Sequence, residues 1–140
     1  MGFSAKSYAS VIGANERINI AVIGIRGQGN SHIGNWCALK DNRNVFLKTI
    51  CDVDEELYSE RAKRILDSIG TKPLTEWDMR KVFDDKEIHA VSIATQNHWH
   101  ALETIWAAKA GKHVYVEKPA SHNIFEGRKM VEAARKYNVR

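Results

Sequence analysis

Arg17-Ile18-Asn19-Ile20-Ala21-Val22-Ile23-Gly24-Ile25-Arg26-Gly27-Gln28-Gly29 is the stretch that decides the fold. Arg17 to Ile23 is dense in β-branched residues and reads as a buried strand. A glycine-rich turn follows at once. Asn30 or Ser31, either a good N-cap, then predicts a helix running to about Lys40. Gly24 and Gly29 fit the first and third glycines of G-x-G-x-x-G. The first permits the tight turn and the third lets helix and strand pack closely. The middle position, where backbone approaches a pyrophosphate, holds Arg26. Gly27 beside it offers partial compensation. The guanidinium either reaches a phosphate or crowds the site. A tight turn without a ligand is the plain alternative, but the strand before and the helix after supply the context the motif needs.

Outward from this unit, strands and helices alternate. Val45 to Ile50 reads as a second strand ending at Cys51-Asp52. Asp54 to Ile69 reads as a helix with Leu57, Ala62, Ile65, Leu66 and Ile69 on one face and Gly70 as its stop. A short third strand is expected near Lys72 to Leu74. Thr75-Glu76-Trp77-Asp78 resembles a capping box for a short helix through Phe83. Ile88 to Ala94 and His113 to Val116 read as strands, separated by a helix from His98 to Ala110 closed by Gly111. A final helix runs from about Asn123 to Tyr137, with Glu126 placed to answer an Asn123 cap. Another strand is expected to start near Asn138 to Arg140. Such alternation predicts βαβ units and a parallel, doubly wound α/β sheet. Right-handed crossovers then put the strands' carboxyl ends on one rim.

The chain has 140 residues, enough for one domain with a real core. Its formal charge is +4, from 21 basic and 17 acidic residues. Charges alternate in sign along Asp54 to Arg64, which predicts a solvated face rather than a nucleic-acid patch. No nucleic-acid-binding motif is present. Cys37 and Cys51 sit among apolar residues and read as small buried hydrophobes. No apolar run approaches the roughly 20 residues of a membrane span. The first residues lack an apolar h-region, so no intact signal peptide is expected among them. Residues 1–15 are expected to be a flexible leader and residues 16–140 the folded domain.

Three further groups carry chemistry. Asp52 ends the second strand, somewhat beyond the roughly 20-residue spacing at which the fingerprint wants an acid for the ribose hydroxyls. A carboxylate there repels a 2′-phosphate, and Val53-Asp54 supplies no arginine, which favours NAD over NADP. A helix N-cap is the bland alternative for Asp52. Thr95-Gln96-Asn97-His98-Trp99-His100 follows a strand on the same rim. Asn97 can hydrogen-bond a ribose or carboxamide. His98 and His100 have no third ligand at matching spacing, so a cofactor-lining loop is favoured and no metal site is assigned. Glu117-Lys118-Pro119 ends the strand His113–Val116. Its lysine can polarise a substrate oxygen or relay its proton. A surface Glu–Lys pair is the alternative. The Lys118–Pro119 bond is a candidate for the cis form. Trp36, Trp77, Trp99 and Trp106 lie on different elements and read as packing residues.

Taken in order, VIGIRGQG, CDVDEE, DDKEIHAVSIATQNHWHALETIWAAKAGKHVYVEKP and EGRKMVEAARKYN resemble the signatures of the glucose–fructose oxidoreductase/inositol dehydrogenase (Gfo/Idh/MocA) family. The resemblance runs from about Asn15 to Asn138. It departs from the family's turn at Arg26, and Gln96 stands where many members have proline. By position it implies that Gly24, Gly27 and Gly29 bind the pyrophosphate and that Asp52 takes the adenosine ribose. Thr95, Asn97 and His100 would line the nicotinamide half. Glu117 and Lys118 would lie beside the ring, with Lys118 as catalytic lysine. Family members carry a second α/β domain that supplies substrate contacts and much of the oligomer interface. The expectation is therefore the NAD-binding portion of a larger oxidoreductase of sugar or polyol carbinols, stopping before the last strands of its domain and inactive alone. An NAD-dependent glycosidase and a non-catalytic cofactor-binding module are the alternatives. Homo-oligomerisation stays open. So does the compartment, cytoplasmic or, with an export signal removed, periplasmic; the leader FSAKSYASVIGANERI resembles the stretch after a twin-arginine signal.

Overall fold

Apolar runs alternating with amphipathic helices build a single parallel sheet in the computed structural model, which describes residues 17–140. The expected leader over residues 1–15 lies outside the described residues. The strands are β1 (Ile18–Ile23), β2 (Val45–Cys51), β3 (Leu74–Glu76), β4 (Ala90–Ile93) and β5 (His113–Val116). Their order is β3-β2-β1-β4-β5, and every neighbouring pair is parallel. The chain builds outward from β1 through β2 to β3. It then crosses back to lay β4 and β5 on β1's other side. Open α/β sheets bind ligands at this reversal, at the strands' carboxyl ends.

The helices are α1 (Gln28–Ala38), α2 (Lys40–Arg43), α3 (Tyr58–Ile69), α4 (Met79–Asp84), α5 (His100–Lys109) and α6 (Ile124–Tyr137). Side chains of β1 alternate between two cores. Ile20 and Val22 pack with Ile33 of α1 and Ala62, Ile65 and Ile69 of α3. Ala21 and Ile23 pack on the other face with Val82, Phe83, Val91, Ile93 and Ala107. A central strand covered on both faces is apolar at nearly every position, which is why RINIAVI reads so clearly.

Several element boundaries differ from the sequence reading: β3 runs Leu74–Glu76 rather than near Lys72 to Leu74, and β4 is shorter than Ile88 to Ala94. α1 begins at Gln28, and neither Asn30 nor Ser31 caps it; Gly27 holds the cap position with no side-chain bond. Asn30 is engaged elsewhere, its carbonyl accepting from Arg64 Nη1 at 3.0 Å. The helix expected from Asp54 opens as a 3-10 turn, Glu55–Leu57, capped by the Asp54 carboxylate before α3 proper. Within α3, Leu66 turns outward and Arg61 turns inward, its Nε donating to the Ile25 carbonyl at 3.2 Å. Thr75 belongs to β3, so the cap of α4 is Asp78, which accepts the Arg80 amide at 3.0 Å. The helix expected from His98 opens as a 3-10 turn at Asn97–Trp99.

The readings of β5 and of the start of α6 hold. β5 covers the expected residues, and Asn123 accepts the Glu126 amide at 2.9 Å. The Arg140 carbonyl accepts from the Val114 amide at 2.7 Å, so the backbone beyond α6 pairs with β5 where a further strand is expected to start. Cys51 is buried and Cys37 half-buried; burial raises both thiols, Cys51 to about 12. Trp36 and Trp106 pack against the two cores, whereas Trp77 and Trp99 are exposed.

Candidate dinucleotide site

The glycine turn is fixed by sterics. Gly24 sits at φ +80°, and a Cβ there would stand 2.7 Å from backbone atoms of Ala94 and Thr95. A Cβ on Gly29 would stand 1.6 Å from the Gly24 carbonyl oxygen. Both positions therefore exclude any side chain. Gly27 differs: a Cβ there would meet nothing within 4 Å. Its lack of a side chain keeps open the space before α1, whose first amides have no side-chain cap. Unpaired amides at a helix N-terminus suit a phosphate.

Asp52 sits at the end of β2 and ties two loops together. Its Oδ2 accepts the Ile25 amide at 2.8 Å and its Oδ1 accepts the Asp54 amide at 3.0 Å. A carboxylate offers about four lone-pair directions, so two remain for further donors. The N-cap alternative falls to Asp54 instead. Arg26 is exposed, and its guanidinium pairs with the Asp54 carboxylate. An arginine thus reaches the loop after β2 although none lies nearby in sequence.

At the other end of the rim, a cleft of about 330 Å³ is lined by Gln28, Ala94, Thr95, Asn97, His100, Glu117 and Lys118. Five residues singled out in the sequence, from two separate loops, meet here. Gly24, Arg26, Gly27, Gly29 and Asp52 lie along the rim outside this cleft. A larger groove, about 690 Å³, runs between α3 and the edge strand β3, and none of the sequence-predicted site residues lines it. The smaller cleft is the candidate site because it lies at the reversal of strand order.

His100 is buried, and its ring joins the two loops that form the cleft. Nε2 lies 3.0 Å from the Thr95 carbonyl oxygen and Nδ1 lies 2.8 Å from that of Pro119. With both nitrogens so engaged, the ring is no metal ligand in this geometry. The Lys118–Pro119 bond that brings the Pro119 carbonyl here is cis. Beneath the loop, Glu103 is fully buried and accepts the Thr95 hydroxyl at 2.7 Å. Burial pushes its carboxyl up to about 7.

The Glu117 carboxylate is held from several sides. It accepts from His32 Nε2 at 2.9 Å, from the Lys118 amide at 3.0 Å and, more weakly, from Gln28 Nε2 at 3.4 Å. The His32 contact, then the Lys118 amide, hold it below the usual carboxylate range. Lys118 itself is exposed at the cleft. His32, Ser92 and Glu103 escaped the sequence reading. The available signal was a histidine, a serine and a glutamate at positions the fold buries.

These features define a dinucleotide-binding domain of the Rossmann class. The family model of the GFO_IDH_MocA oxidoreductases, NAD-binding Rossmann fold, matches residues 18–140, and the chain belongs to this family. It is 33% identical over 133 residues to levoglucosan dehydrogenase of Pseudarthrobacter phenanthrenivorans, covering 89% of this chain and 32% of that protein. It is 28% identical over 136 residues to an alpha-N-acetylgalactosaminidase of Shewanella oneidensis, covering 94% and 29%. Among solved structures, levoglucosan dehydrogenase in complex with NADH superposes with TM-score 0.76 at 34% identity, covering 88% of this chain and 33% of that one. The chain thus spans about a third of the length of the curated relatives it matches.

Proposed function

We propose that this chain forms the cofactor-holding part of an NAD-dependent oxidoreductase that acts on a sugar or polyol carbinol. The observation that carries the reading is the cleft at the reversal of strand order, where Glu117 and Lys118 face Thr95 and Asn97 beside the uncapped start of α1. NAD, when bound, supplies the hydride acceptor. The open space at Gly27 and the N-terminal amides of α1, which no side chain caps, hold the diphosphate. Asp52 takes the adenosine ribose hydroxyls through its two spare lone-pair directions. Asn97 and Thr95 orient the nicotinamide half. The Lys118 ammonium orients the substrate hydroxyl and handles its proton. His100 keeps the Thr95 and Pro119 loops at a fixed separation.

The test is a panel of sugars and polyols, levoglucosan and myo-inositol included, incubated with NAD⁺ and the 140-residue chain. Saturable NAD⁺ binding without sugar-dependent NADH is expected, because the substrate walls are assigned to the part of the relatives' length this chain does not span. Turnover by this chain alone would contradict that division of labour, and failure to bind NAD⁺ would contradict the whole reading. The likeness to the galactosaminidase supports a second reading, transient oxidation of a glycoside with the cofactor regenerated. Glycoside cleavage without NADH accumulation, in a protein carrying this domain, separates the two.

A further inference from the structure

Helix α1 does more than present its N-terminus. Gln28 and His32 stand one turn apart on it, the spacing that places two side chains on one face. Both reach Glu117, which is 85 residues from His32 in sequence. His32 is 3% exposed, and its other nitrogen, Nδ1, lies 2.9 Å from the hydroxyl of Ser92 on β4. The ring is further fixed by the edge of Tyr115, at a centroid distance of 5.4 Å. The Glu117 carboxylate can only accept, so the N–H at His32 Nε2 is the hydrogen-bond donor between them. On the other side of the ring, Nδ1 faces the Ser92 hydroxyl.

A serine, a histidine and a glutamate in hydrogen-bond sequence suggest a hydrolytic triad, but Ser92 is completely buried and cannot meet a substrate. What remains is orientation. Glu117 is the cleft residue directly preceding Lys118, and its carboxylate is aimed by a buried imidazole whose own rotation is locked at the far side.

We infer that His32, locked by Ser92, is a positioning residue that sets the Glu117 carboxylate, and with it the nicotinamide end of the cleft. The inference rests on the cofactor reading above. It joins the diphosphate end to the nicotinamide end through one helix, since Gln28 opens α1 and His32 follows a turn later.

Binding of NAD⁺ and of ADP-ribose to the full chain, by calorimetry, separates the possibilities. ADP-ribose keeps the adenosine, diphosphate and second ribose but lacks the nicotinamide. His32→Ala is expected to weaken NAD⁺ about tenfold, the loss of one hydrogen bond to a charged group, and to leave ADP-ribose within about twofold. His32→Gln, whose amide can still donate to Glu117, is expected to recover most of the NAD⁺ affinity. Carboxyl NMR of Glu117 gives a ligand-free readout: its titration midpoint should rise in His32→Ala and much less in His32→Gln. Equal loss of both ligands, unchanged NAD⁺ affinity, or an unmoved Glu117 midpoint would overturn the inference. A wild-type chain that binds ADP-ribose but gains nothing from the nicotinamide would also overturn it, while leaving the cofactor site standing. A wild-type chain that binds neither ligand removes the cofactor reading and this inference together.

Discussion

The Asp52 carboxylate reaches from the end of β2 to the Ile25 amide, 2.8 Å away in the glycine turn after β1. One side chain thereby fixes the relative position of two loops that a dinucleotide must bridge. It holds the loops and, in the proposed function, faces the ribose; substitution can separate the two roles.

Asp52→Asn keeps one acceptor for the backbone amides and removes the charge. It is expected to weaken NAD⁺ about tenfold and, because its NH2 faces one of the two backbone amides, to cost about 0.5–1 kcal/mol of stability. Asp52→Ala removes both acceptors and should also cost about 1–2 kcal/mol of stability. Urea unfolding beside calorimetry distinguishes the two variants. Equal behaviour of both would mean that the carboxylate only holds the loops.

Arg26 bears on cofactor choice. Its guanidinium is engaged by Asp54 on the loop after β2, where a 2′-phosphate would lie. Asp54→Asn keeps the cap of the Glu56 amide but releases Arg26. NADP⁺ affinity is expected to rise about fivefold, NAD⁺ affinity to stay level, and the gain to vanish at high salt. No change in NADP⁺ binding would show that the guanidinium cannot reach the phosphate.

The glycines separate structure from binding. Gly29→Ala forces a Cβ into the Gly24 carbonyl and should destabilise the domain by about 3 kcal/mol or more. Gly27→Ala meets open space, so its stability should stay within about 0.5 kcal/mol while NAD⁺ affinity falls about tenfold. Thermal melts with and without NAD⁺ read both effects.

Glu103 makes stability depend on pH. Its folded-state pKa of about 7 lies above the ordinary 4.5, raised by burial. The folded state keeps a proton that the unfolded chain releases between these values. The contribution is full below about pH 4.5 and is lost as pH rises through 7, a change on the order of 3 kcal/mol. The wild-type melting temperature should fall from pH 5 to pH 8 more steeply than that of Glu103→Gln. Parallel profiles would contradict the assignment.

Much of the fold was legible because its signals are local. A β-branched run names β1, His113 to Val116 names β5, and Asn123 with Glu126 names the start of α6. The start of α1 was misread because the usual cap signal is a polar side chain, and here the cap is Gly27 with no side-chain bond. The Thr75 capping box failed because β3 claimed Thr75 for the sheet. Within the site, Gly24, Asp52 and the Glu117-Lys118 pair are readable from their places at strand ends. The Arg26–Asp54 pair and the Ser92–His32–Glu117 chain are not. Each depends on residues that only the completed sheet brings together.

The most direct test of the account is calorimetric titration of the full chain with NAD⁺ and NADP⁺ under identical salt. Saturable NAD⁺ binding at one site, at least tenfold tighter than NADP⁺, is the predicted result; the factor follows from about 1.4 kcal/mol of carboxylate–phosphate repulsion at Asp52. A folded chain that binds neither nucleotide, or that prefers NADP⁺, would contradict it.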